Sequence, residues 1–103
     1  MGAERNFVRL RGLQVDDAEK YRSYRARVSP ILERYGGRFG YDFIVAETLR
    51  SETDKPINRV FTLVFPTRAA ADLLFADPEY VRVRREFFDP AVSAVTTLAE
   101  FES

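Results

Sequence analysis

The feature that most restricts this chain is a pair of neighbouring segments, Phe39 to Thr48 and Ile57 to Phe65, in which aromatic and β-branched residues occupy both sets of alternating positions. Such residues favour extended backbone. The polar run Ser51, Glu52, Thr53, Asp54, Lys55 and Pro56 between them reads as the turn of a hairpin. Successive side chains of a strand point to opposite faces. With the hairpin centred on Glu52 to Lys55, Asp42, Ile44 and Ala46 share a face with Phe61, Leu63 and Phe65, while Phe43 and Val45 share the other with Val60, Thr62 and Val64. Both faces therefore need cover. A chain of 103 residues has helices enough for one of them. The second is expected to meet another sheet, and the simplest source is a second copy related by a twofold axis. The alternative is a monomer whose third helix and termini wrap the open face.

The flanking segments supply the helices and two more strands. Phe7 to Gln14, with Val8, Leu10 and Leu13, reads as a first strand. Asp16 followed by Glu19 has the form of a capping box and starts a first helix. Tyr21, Tyr24, Val28, Ile31, Leu32 and Tyr35 then recur at spacings of three and four, a single apolar stripe. Pro30 removes a backbone donor and predicts a local bend, and Gly36-Gly37 offers a left-handed cap after Tyr35. Thr67 caps a second helix over Arg68 to Ala76. Asp77 with Pro78 opens a third that runs to about Phe88 and stops at Asp89-Pro90. Val92 to Phe101 is the last strand. The order is βαββαβ with an added helix, which usually makes an α+β domain with a four-stranded antiparallel sheet and its helices on one face.

Composition narrows the chemistry. With 46% hydrophobic and 14% aromatic residues the chain buries a core, and residues 1–103 read as one domain. The 16 Lys and Arg balance the 16 Asp and Glu, which argues against a nucleic-acid or anionic-membrane partner. The chain has no Cys and no His, so disulfides, thiolate or imidazole metal sites and nucleophile systems built on those residues are excluded. No metal or other cofactor is expected. Arg9 and Arg11 interrupt the only apolar run near the start, which reads as the absence of a signal sequence and predicts a cytoplasmic protein.

Several pieces of the chain also resemble a known family. Tyr21-x-x-Tyr24, Pro30-Ile31-Leu32, Tyr35-Gly36-Gly37-Arg38, Phe65-Pro66 before an Ala-rich helix, and Asp77-Pro78-Glu79-Tyr80 before an Arg-rich turn together resemble domain-of-unknown-function family 1330. The resemblance runs from about Val8 to Phe101. It implies a ferredoxin-like subunit that pairs sheet to sheet with a second copy as a dimeric α/β barrel. It implies no reaction. Where that family often carries a basic residue, an acid and a second basic residue, this chain has Asp42, Val64 and Phe87, so no charged site on those positions carries over.

Five residues stand out as candidates for chemistry. Asp42 lies inside an apolar strand, where an unpaired carboxylate is costly. As a pocket group it is an acid or base, and as a structural group it is paired with an arginine or exposed at the sheet rim. Tyr24, on the first helix stripe, is either a pocket hydroxyl or a core aromatic. Tyr80 and Arg84 are four apart on the third helix with Arg85 beside them, a set that suits a carboxylate or phosphate but equally a solvated helix face. Arg59 is expected to pair across the hairpin with Glu47.

A largely apolar pocket between the first helix, the third helix and the sheet is the expected ligand site. Some members of the dimeric α/β-barrel superfamily act on aromatic or enol-like molecules without a cofactor. One reading of this chain is therefore a small-molecule binder or cofactor-independent enzyme for such a molecule, in which its own residues would serve, Asp42 as proton carrier and Tyr24, Tyr80, Arg84 and Arg85 as polar contacts. The other reading is a non-catalytic dimerisation or protein-interaction module whose interior is filled by its own side chains.

Overall fold

A computed structural model describes residues 5–103. The segment 1–4, part of the stretch read as lacking a signal sequence, lies outside the described residues. The elements are β1 (Phe7–Val15), α1 (Ala18–Arg34), β2 (Arg38–Ile44), β3 (Arg59–Phe65), α2 (Arg68–Ala76), α3 (Pro78–Val83) with a π-helical turn over Arg84–Phe88, and β4 (Val92–Glu102). The strands form one antiparallel sheet in the order β2-β3-β1-β4. The α+β, ferredoxin-like architecture expected from the element order is present. No described helix is long and apolar enough to cross a membrane.

Local chemistry fixes most element ends. Thr67 caps α2 by accepting from the Ala70 amide, and Asp77 caps α3 by accepting from Glu79 and Tyr80. Gly36 takes the left-handed conformation, φ 73°, at the end of α1. The helix passes through Pro30 without a break. One expected cap is wrong: Asp17, not Asp16, caps α1, through the Lys20 amide at 3.0 Å. Asp16 is held outside the helix because its amide donates to the Ala91 carbonyl at 2.8 Å.

The hairpin register also differs from the symmetric one. Asp42 lies opposite Phe61, where a centre at Glu52 to Lys55 would put it opposite Phe65. From Asp42 to Ile44 the shift is even and keeps each residue on its predicted face, while an irregularity between Phe39 and Asp42 turns Phe39 to the face of Leu63. The strands are shorter than expected because the connection 45–58 is pulled across the sheet. Asn58 makes two side-chain hydrogen bonds to the Val15 backbone, its amide donates to the Leu13 carbonyl, Lys55 reaches the Val95 carbonyl, and Ile57 sits over Gly12.

The helices pack on the face that carries Phe7, Leu13, Phe61, Leu63 and Phe65, against Tyr21, Val28, Ile31, Leu32 and Leu74. On the opposite face Val8 is flanked by Val64 and Phe101, and Leu10 by Thr62 and Ala99. Tyr41 and Phe43 stack beside one another at the β2 edge, and Phe43 is 57% exposed. That face is apolar: Val8 and Val64 are buried among their neighbours, Ile57 covers Gly12, and Tyr41, Phe43 and Phe101 are left exposed without a helix over them.

Candidate functional site

Two clusters of polar side chains lie on the helix side of the sheet, in the same cross-strand row. Asp42 on β2, Phe61 on β3 and Arg11 on β1 are register partners, so Phe61 separates Asp42 from Arg11.

The first cluster lines an open groove of about 620 Å³ between α1 and the β2 edge, with Tyr21, Arg22, Arg25, Ser29, Asp42 and Arg59 among its walls. Arg59 donates to Asp42 through a fork, Nε to Oδ1 at 2.8 Å and Nη2 to Oδ2 at 2.9 Å. Arg25 Nη1 donates to Oδ2 at 2.8 Å, and its guanidinium lies 3.4 Å from the centre of the Phe39 ring. The Arg59 hydrogen bonds, together with the charge of Arg25, hold the Asp42 carboxyl below the usual carboxylate range against the opposing effect of burial. The expected pairing of Arg59 with Glu47 is replaced by this one, because the shifted register puts Arg59 diagonally across from Asp42. Both carboxylate oxygens of Asp42 are occupied.

The second cluster fills the space between α1, α3 and the sheet. Tyr24 is buried, its ring 4.9 Å from that of Phe88 and 5.8 Å from that of Tyr21. Burial, with Tyr80 beside it, raises the Tyr24 hydroxyl well above its ordinary pKa, so it is a neutral donor. Tyr80 is buried against Phe75, with ring centres 5.5 Å apart. The π-helical turn, in which the Asp89 amide donates to the Arg84 carbonyl at 2.9 Å, seats Phe88 in the core and sets Arg84 over its ring. Tyr24, Tyr80 and Arg84, distant in sequence, are thus brought together. Arg85 is exposed on the same turn, and Asp42 belongs to the groove on the far side of Phe61.

Arg11 belongs to this cluster and was not singled out from the sequence. It points to the helix side between Arg9 and Leu13, its guanidinium 6.0 Å from the centre of Phe75. Burial above all, with the charge of Arg9 next and that of Arg84 adding to it, lowers its pKa. Its Nε is buried without a hydrogen-bond partner. The only signal in the sequence was the arginine pair Arg9 and Arg11 on a strand otherwise apolar on both faces, which also fits solvent exposure. Among the described residues no group of three or more carboxylates is placed to hold a metal ion.

Residues 10–100 match the family described as "Domain of unknown function (DUF1330)". No curated protein matches the chain. Among solved structures, it is similar to the RPA0582 protein of unknown function from Rhodopseudomonas palustris, with 21% identity and a TM-score of 0.75 over 98% of this chain and 82% of that one. A NIPSNAP family protein with unknown function from Agrobacterium tumefaciens is 14% identical, with a TM-score of 0.64 over 99% and 91%. A DABB family protein with a ferredoxin-like fold from Mesorhizobium loti is 15% identical, with a TM-score of 0.61 over 96% and 95%. Likeness at these identities establishes the fold and leaves the chemistry to the residues.

Proposed function

Because the chain belongs to the DUF1330 family, whose description names no reaction, we propose a function from its own residues: a homodimer that holds a small aromatic or enol-like molecule between helices and sheet in each subunit. The observation that carries this reading is the convergence of Tyr24, Tyr80 and Arg84 from separate elements around the aromatic walls of Phe75 and Phe88. Two hydroxyls and a guanidinium beside aromatic walls would fix the orientation of a planar molecule that enters between them. A π-helical turn at this place supports the same reading, since such turns carry a cost in backbone geometry and recur at functional sites.

In this reading Asp42 clasps β2 to α1. A carboxylate with both oxygens held by arginines stays ionised at neutral pH, and it accepts a proton only after one guanidinium has moved away. Pairing through the bare sheet face accounts for the second apolar surface, where Val8, Leu10, Val64 and Phe101 would meet their equivalents.

Native mass spectrometry of the purified protein, under gentle and then denaturing conditions, tests both parts. The expected result is a dimer that carries one small additional mass per subunit and loses it on denaturation. A bare dimer would favour the interaction module, and a monomer would remove the sheet-to-sheet pairing.

A further inference from the structure

Charges on the helix side of β1 do not balance. Arg9 pairs with Glu100 at 2.6 Å, Arg68 shares that same carboxylate at 3.7 Å, and Arg84 pairs with Asp89 at 3.6 Å. Arg11 sits among them, with no ion pair among the described residues and a buried Nε that meets no acceptor. Four guanidiniums thus share two carboxylates. Arg11 is half-buried, but its Nε meets neither water nor an acceptor, which carries a desolvation penalty, and a neutral residue of similar length would be better tolerated unless something else supplies the charge. The neighbouring groups describe that missing partner. The Tyr24 hydroxyl, which burial keeps neutral, the Tyr80 hydroxyl and the N–H groups of Arg84 lie beside it, and among the described residues no carboxylate pairs with Arg11, the charge of Glu100 reaching it only from a distance.

Resting on the reading above, we propose that the molecule held between helices and sheet is an organic anion, a carboxylate or enolate on a planar apolar body, with Arg11 as its anchor and Tyr24, Tyr80 and Arg84 as further donors. A carboxylate accepts two parallel N–H bonds from one guanidinium, which suits Arg11 as a bidentate partner. Phe75 and Phe88 supply the apolar surface that a benzenoid or conjugated body would cover.

Benzoate and its neutral counterpart benzamide, titrated into the full-length protein by calorimetry or followed by amide chemical shifts, test the inference. Benzoate is expected to bind about tenfold or more tightly than benzamide, the scale of one charge-assisted hydrogen-bond pair. Arg11→Met should abolish that preference, and Arg11→Lys should keep part of it. Arg11→Met should also raise the Tm, since it removes a half-buried charge with an unsatisfied Nε and leaves an apolar stem. Tighter binding of benzamide, or an unchanged preference for benzoate in Arg11→Met, would overturn the anion assignment while leaving the small-molecule pocket standing. Binding of neither probe would count against both. A lowered Tm in Arg11→Met would mark Arg11 as a structural residue and overturn its role as anchor.

Discussion

At Asp42, two arginines determine the charge. Arg59 contributes the fork and Arg25 the third hydrogen bond, and the side chain remains 26% exposed, so the pair works in a partly screened setting. Ion pairs of this kind contribute about 0.5–1 kcal/mol. The folded carboxyl has a pKa below its ordinary 3.8, so its contribution is complete above that value and is lost as the pH falls through the lower folded value. Asp42→Asn is therefore expected to lower the unfolding free energy by about that amount at pH 7. In urea titrations the gap between variant and wild type should close at acid pH. A gap that stays constant from pH 7 to pH 2 would show that the ionised carboxylate is not its source.

Among the elements, the turn between α1 and β2 is the tightest junction. Gly36 supplies the positive φ, and Gly37 then passes so close to the core that a Cβ would lie 2.6 Å from the Phe65 ring. Phe65 is fully buried and has little room to yield. Gly37→Ala should destabilise the fold by about 1–3 kcal/mol, the usual consequence of overfilling a packed interior, and thermal unfolding reads it directly. An unchanged Tm would mean that the α1–β2 turn opens at little cost. The Tyr35 hydroxyl donates to Asp77 at 2.5 Å and ties this same turn to the cap of α3. The end of α1 and the start of the helix that carries Tyr80 are thereby fixed to each other, which is what holds Tyr24 and Tyr80 in one place.

On the scale of the whole molecule, the bare sheet face distinguishes a monomer from a pair. Phe43 and Phe101 lie on it, 57% and 45% exposed, and neither belongs to the core beneath the helices. Phe101→Glu leaves the core beneath the helices intact but puts a charge on the sheet-to-sheet interface, where it would be desolvated without a partner. Light scattering is expected to report a dimer for the wild type and a monomer for the variant, whose Tm is lower and, unlike that of the wild type, independent of protein concentration. Equal masses for the two proteins would show that the face is not the interface.

The sequence by itself determined which segments are strands and helices, because periodicity, caps and turn residues act over a few neighbouring positions. Thr67, Asp77 with Pro78, and Gly36 each did so where they were expected. It also determined that both sheet faces are apolar, since alternation survives any even change of register. Tertiary structure alone decided which charges meet. Asn58 and Ile57 draw the connection 45–58 across β1, the hairpin shifts, and Arg59 comes to Asp42 instead of Glu47. Arg11 looked like one more surface arginine. Its half-burial and its Nε without an acceptor come with the tertiary packing, in which Arg9 and Arg68 take Glu100. Electrostatic pairing depends on distances across the sheet, and those distances are set by long-range packing that no local pattern encodes.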